Sequence, residues 1–135
     1  MDSLLTRSVL GAVGFMILDG FWLGLVMAAF YRDQLAPIAR LANGAFAPNW
    51  PAALVVYALL GTGIATFVLP RAGTATGGAA VALSGALFGL VVYGVYDFTN
   101  YATLRQWPFA LILVDVAWGT VASALCAVLV WVATR

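Results

Sequence analysis

The chain has 135 residues, of which 64% are hydrophobic and only 8% charged. A soluble domain carries roughly 25% charged residues to present a wet surface, so lipid must be the outer solvent of this one. The charged set is five Asp and six Arg, with no Lys, Glu or His. Without His, and with the single Cys126, the usual zinc, haem and di-iron ligand sets are missing, and so are Ser-His-Asp and Cys-His catalysis. No metal or cofactor is expected. The net charge of +1 provides no basic patch, so nucleic acid is not an expected partner. One Cys permits no internal disulfide and carries no information about compartment.

In chain order, four apolar runs are long enough to cross a bilayer, which takes about 20 helical residues. The first covers about residues 4–31. Arg7 before Val9–Leu18 resembles the charged start and apolar core of a signal peptide. However, the run continues past Asp19 to Phe30, and no small-x-small cleavage site follows a short core. A retained first helix is expected, and its length requires tilt or projection from the membrane. The second run covers 51–69, with Asn49 as cap, Pro51 in the first turn and Pro70 as stop. The third covers 77–101 and the fourth 108–134. The runs are continuous and lack period-2 alternation, so helices are expected rather than a barrel. The expected fold is a single all-α membrane domain over residues 1–135, an antiparallel bundle of four transmembrane helices.

The connections differ in length. Arg32–Trp50 is the longest, and the spacing of Leu35, Ile38 and Leu41 predicts a short amphipathic helix in the interface. Arg32 and Arg40 suit lipid headgroups. Pro70–Thr76 reads as a Gly/Thr turn and Ala102–Trp107 as a polar turn. Arg7, Arg71 and Arg135 fall on one side of the membrane, and Arg32, Arg40 and Arg105 on the other. The positive-inside rule is close to balance. Both termini are expected in the cytoplasm, and an even split is also the pattern of a protein that inserts both ways. Asn49-Trp50-Pro51 and Gln106-Trp107-Pro108 open the second and fourth runs on one side as a faint repeat. Trp50 and Trp107 are expected to mark that water boundary, and Trp131 the other.

Lipid-solvated helices have little hydrophobic drive to associate, so close packing relies on small residues. Gly20 and Gly24, Gly85 and Gly89, and the set Gly119, Ser123 and Ala127 recur at four-residue steps. All three are expected to pack within one bundle rather than form a dedicated dimer face.

The chemistry concentrates in Tyr93–Pro108, where a carboxylate, amides, phenols and a guanidinium crowd together. Three acids fall inside the runs. Asp97 and Asp115 lie roughly 6 and 10 Å below the same face at 1.5 Å per residue, and Asp19 lies deeper. This series suggests a polar crevice open on the side of the first and third connections. Gly89, Tyr93, Asp97, Asn100 and Tyr101 share one helical face. Asp19 and Trp22 share a face, as do Asp115 and Trp118, so Asp-x-x-Trp occurs twice and sets an indole one turn from each carboxylate. Acids with aromatic walls suit a cationic or amphipathic guest. Asp97 faces the negative end of a helix dipole. It should therefore be protonated, paired with Arg105, or set against the start of the fourth helix. Two readings of it stay open: a polar clamp with Asn100 and Arg105, or a ligand, proton or catalytic site, the usual meaning of an intramembrane acid. The ligand-binding set is Asp19, Trp22, Tyr93, Asp97, Asn100, Arg105, Asp115 and Trp118.

Tyr96-Asp97-Phe-Thr-Asn100-Tyr-Ala-Thr-Leu-Arg105-Gln-Trp107-Pro108, then Asp115-Val-Ala-Trp118-Gly119, resembles the bacterial membrane proteins grouped as domain of unknown function family 2177. Asp19-Gly-Phe-Trp22-Leu-Gly24 and Tyr31 are similar too, and the likeness covers nearly the whole chain. The resemblance implies a small multi-pass protein of the bacterial inner membrane and no particular reaction. Three function classes follow: a small-ligand or proton-coupled membrane protein, an accessory subunit docking on a larger membrane complex, and a lipid-modifying enzyme limited to carboxylate, Tyr and Arg chemistry. The last ranks third, so the chain is read as leaning away from an enzyme. Expected partners are membrane lipids and either another membrane protein or a second copy of the chain.

Overall fold

A computed structural model describes residues 3–72 and 77–135. Four helical segments are long and apolar enough to cross a membrane: Leu4–Val26, Trp50–Arg71, Gly78–Thr103 and Phe109–Ala133. The expected all-α membrane bundle is borne out. In detail, α1 (Leu4–Phe21) widens into a π-helical turn at Trp22–Val26, and α2 follows (Ala28–Leu35). Strands β1 (Leu41–Ala42) and β2 (Ala45–Phe46) form a small antiparallel hairpin. Then come α3 (Trp50–Gly63), a π-helical turn (Ile64–Val68) and α4 (Leu69–Ala72), all in one span, followed by α5 (Gly78–Thr103) and α6 (Phe109–Ala133).

Three local expectations are corrected. The first run is not one over-long helix. It breaks at Met27, whose φ of −121° and ψ of 18° leave the helical region. Pro70 does not stop the second span, because helix continues to Ala72. The π-helical turn just before it re-registers the backbone, and such adjustments are how membrane helices absorb a proline. The first connection does hold a short helix, but α2 ends at Leu35, before the Leu35–Ile38–Leu41 spacing that predicts one. Leu41 instead enters the hairpin, whose turn places Asn43 at φ 52° and Gly44 at φ 75°. Asn-Gly is the preferred pair for a two-residue turn with both φ angles positive. The turn expected at Pro70–Thr76 falls partly outside the described residues. At the other end of the span, Asn49 does cap α3, its Oδ1 accepting from the Ala52 amide at 3.3 Å.

Small residues set the helix contacts. On α5, Val81, Gly85, Gly89 and Asp97 are buried at four- and eight-residue steps, facing the buried stripe Gly119, Ser123 and Ala127 of α6. A Cβ placed on Gly85 would lie 2.7 Å from the Ser123 carbonyl oxygen, and one on Gly89 would lie 2.7 Å from the Ser123 Cβ. Two of the three predicted stripes are therefore the two halves of one contact. A second close crossing, between α1 and α3, brings Gly11 against Gly61. Cys126 Sγ donates to the Gly11 carbonyl oxygen at 3.3 Å, linking α6 to α1. Phe15, Ile64, Val68, Val81, Ala122 and Cys126 form the centre of the core.

Gly20 and Gly24 do not pack inside the bundle. Both are exposed, and a Cβ at either would meet nothing within 4 Å. Gly20→Leu and Gly24→Leu are accordingly expected to leave detergent-phase thermal stability unchanged to within about 0.5 kcal/mol, as at surface sites free of special features. The two Asn/Gln-Trp-Pro openings also diverge. Trp50 is 59% exposed, whereas Trp107 is buried against Tyr31, Leu111 and Ile112 and is no lipid-facing boundary marker. Trp131 lies under the Arg135 guanidinium, 4.6 Å from its ring centroid.

Candidate functional site

The acids of three different helices converge. Helical phase turns Asp19 of α1, Asp97 of α5 and Asp115 of α6 inward, and the tight glycine contacts hold their backbones close. Asp19 is 8% exposed and Asp97 fully buried. The Trp118 indole N–H donates to Asp19 Oδ1 at 2.8 Å, and the Tyr57 hydroxyl of α3 also faces that carboxylate. The Tyr31 hydroxyl donates to Asp115 Oδ1 at 2.7 Å and accepts from the Trp22 indole N–H at 3.2 Å. Between the two acids, the Trp22 and Trp118 rings stack nearly parallel, with centroids 4.4 Å apart and planes 3° apart.

This arrangement revises the role expected of the Asp-x-x-Trp pairs. The indoles form one stacked pair in place of two separate aromatic walls. Each ring covers the other, and each N–H is spent within the bundle, Trp118 on Asp19 and Trp22 on Tyr31. Crossed pairing explains the geometry: each tryptophan serves the other half of the network rather than the acid one turn away.

Tyr31 was not legible as a member of the network, because it bonds Asp115 across 84 residues of sequence. It reaches that position because α2 leaves the line of α1 at Met27. Burial, the Asp115 charge and the bond to that carboxylate push its hydroxyl above the ordinary 10.0. A raised phenol contributes its full stability below the unfolded value of about pH 10 and loses it as alkali ionises the group. Tyr31→Phe should cost about 1–3 kcal/mol in unfolding experiments in detergent, the usual effect of stranding buried polar partners. It should also flatten the alkaline decline in stability.

Asp97 differs from the other two acids. Neither of its carboxyl oxygens has a hydrogen-bond donor. Its carboxyl group neighbours Asp115 and the Trp107 indole, whose N–H is likewise buried and without a bonded partner. The pairing of Asp97 with Arg105 does not form. Arg105 is exposed, and among the described residues the one ion pair is Arg32 with Asp33, at 3.5 Å on the surface. Tyr93 is half-buried with its ring against Gly119 at the α5–α6 contact, and its phenol neighbours Asp19, Asp115, Tyr57 and Tyr31.

A crevice of about 580 Å³ opens at the end of α5 on the side of the first and third connections. Its polar walls are Tyr96, Asn100, Arg105, Gln106 and Trp107, and its apolar ones Ile38 and Leu104. The crevice lies on the expected side of the membrane, but Asp19, Asp97 and Asp115 do not line it. Trp107 is common to both, lining the crevice and neighbouring Asp97. Among the described residues, no three His, Cys, Asp or Glu side chains are grouped to hold a metal ion.

Four apolar spans with acids and indoles bonded between them define a multi-pass membrane protein. A family model described as "Predicted membrane protein (DUF2177)" matches residues 4–132, and the chain belongs to that family. No match is found among curated proteins or among solved structures.

Proposed function

We propose that this chain is a bacterial inner-membrane protein, both termini cytoplasmic, that couples a small ligand to a proton through its intramembrane acids. The observation that carries this reading is Asp97, a fully buried carboxyl group with no donor on either oxygen. An uncompensated charge there would cost several kcal/mol. No arginine approaches it, so a proton or an incoming ion must answer the charge. Intramembrane acids of this kind mark ion and proton pathways. The crevice beyond Trp107 is the natural entry, and Asp19 with its tryptophan partner holds the far side of the network rigid.

A thermal-shift panel in mild detergent tests this reading, using amines, amino acids, fatty acids and lipid headgroup analogues at acidic and neutral pH. A ligand-dependent shift whose size varies with pH is expected, and in Asp97→Asn that pH dependence should disappear. A panel that shifts nothing, or shifts parent and variant with the same pH dependence, rules it out.

One observation favours a second reading, docking on another membrane protein or a second copy. Gly20 and Gly24 lie on an open face where a foreign helix could approach closely. Under that reading the protein co-purifies with a partner in fixed ratio, and Asp97→Asn leaves the ratio unchanged.

A further inference from the structure

We infer that the crevice at the end of α5 binds an amphipathic monoanion, a carboxylate or phosphate head on a hydrocarbon tail, with Arg105 as its counter-charge. The lining is one-sided in its chemistry. It offers the Arg105 guanidinium, the Asn100 and Gln106 carboxamides and the Tyr96 hydroxyl, and no acid lines it. A guanidinium alone has five N–H donors and matches carboxylate and phosphate oxygens two at a time. Arg105 has no acidic partner among the described residues, where the ion pair is Arg32 with Asp33. The wall therefore presents a surplus of donors and one positive charge. Ile38 and Leu104 complete it with aliphatic surface, which suits the first carbons of a tail leaving toward lipid.

Site and proton are connected in this picture, and that connection rests on the proposed function. Asp97 lies one indole away. An anion in the crevice is tolerated when Asp97 is neutral and repelled when it is charged, so anion and proton favour each other. The groups facing Asp97 are Asp115 from α6, Tyr31 from α2, Tyr96 from its own helix and Trp107 from the third connection. None carries a positive charge that would weaken this coupling.

The experiment uses the whole chain in mild detergent with three probes of equal tail length: dodecanoate, dodecyl phosphate and dodecyltrimethylammonium. A fourth arm extracts the protein from bilayers containing phosphatidylglycerol and weighs it by native mass spectrometry. The two anions should bind, and Arg105→Gln should weaken them by roughly 10–100-fold, the range expected for a lost charge-assisted hydrogen bond. Arg105 is exposed, so the variant should fold normally. Retained phosphatidylglycerol that dodecanoate cannot displace identifies the source as a lipid headgroup, whereas displacement identifies a free acid. Equal or tighter binding of the ammonium probe overturns the inference, as does anion binding indifferent to Arg105→Gln. Anion binding that persists in Asp97→Asn without pH dependence supports both the crevice and its coupling. Binding with no pH dependence in the unaltered chain keeps the crevice and removes the proton-coupled reading.

Discussion

Replacing Asp97 by Asn should abolish the pH-dependent ligand response while leaving the bundle as stable as before, or more so by about 1–4 kcal/mol. The geometry sets this direction. Asp97 accepts no hydrogen bond from any donor and faces a second carboxyl group, so its removal breaks nothing. Exchanging a poorly compensated buried charge for a neutral group of the same shape is often neutral or stabilising, and the new amide can donate to Asp115. A clamp gives the opposite result. Had Asp97 tied the α5–α6 hairpin together through Arg105, the same change would cost stability. Thermal unfolding of both proteins in one detergent, alongside the ligand panel, separates the two. A stability loss above about 2 kcal/mol would return Asp97 to a structural role. Asp115→Asn is the internal control: it keeps an acceptor for Tyr31 but alters the other half of the facing pair.

Gly61→Leu is expected to prevent assembly of the native bundle. A Cβ alone at this position would lie 2.5 Å from the Ala12 amide nitrogen and would overlap the Ser8 carbonyl oxygen as well. Both atoms are backbone, so neither can rotate away. Overpacking a well-filled core typically costs about 1–3 kcal/mol, and separating two helix backbones by a whole side chain should exceed that range. Gly89→Leu is predicted to act in the same way against Gly119 and Ser123. Size-exclusion profiles and near-ultraviolet circular dichroism of the two variants check this, with Gly24→Leu as the control that should behave like the parent. A monodisperse, native-like Gly61→Leu protein would show that the α1–α3 crossing is looser than described.

Much of the bundle is legible in the sequence because lipid imposes a strong, simple rule on composition. The four spans follow from run length alone. The meeting of Gly85 and Gly89 with the Gly119, Ser123 and Ala127 stripe follows from four-residue spacing, and so does the inward face of α5 that carries Asp97. The convergence of Asp19, Asp97 and Asp115 follows from helical phase and the cost of exposing acids to hydrocarbon. What periodicity does not carry is which partner each group finds. The crossed indoles, the Tyr31 bond to Asp115 and the Gly11–Gly61 contact are all choices between helices distant in sequence. Arg105 illustrates the limit: it is close to Asp97 in sequence, yet the helix ends between them and the chain turns the guanidinium outward. Other misses had a local signal. Asn43-Gly44 is a hairpin turn pair, set among residues whose spacing favours an interfacial helix.

The break at Met27 also decides how the molecule fits its bilayer. With the first run ended at Val26, the spans hold 23, 22, 26 and 25 residues, or roughly 33–39 Å at 1.5 Å per residue. An unbroken rod to Tyr31 would stand about 7 Å taller, and the surrounding lipid annulus would have to stretch or the rod lean to hide the excess. Turning the chain at one methionine keeps the ends of the cylinder level. The residues spared from that height are the ones that carry a phenol sideways to Asp115.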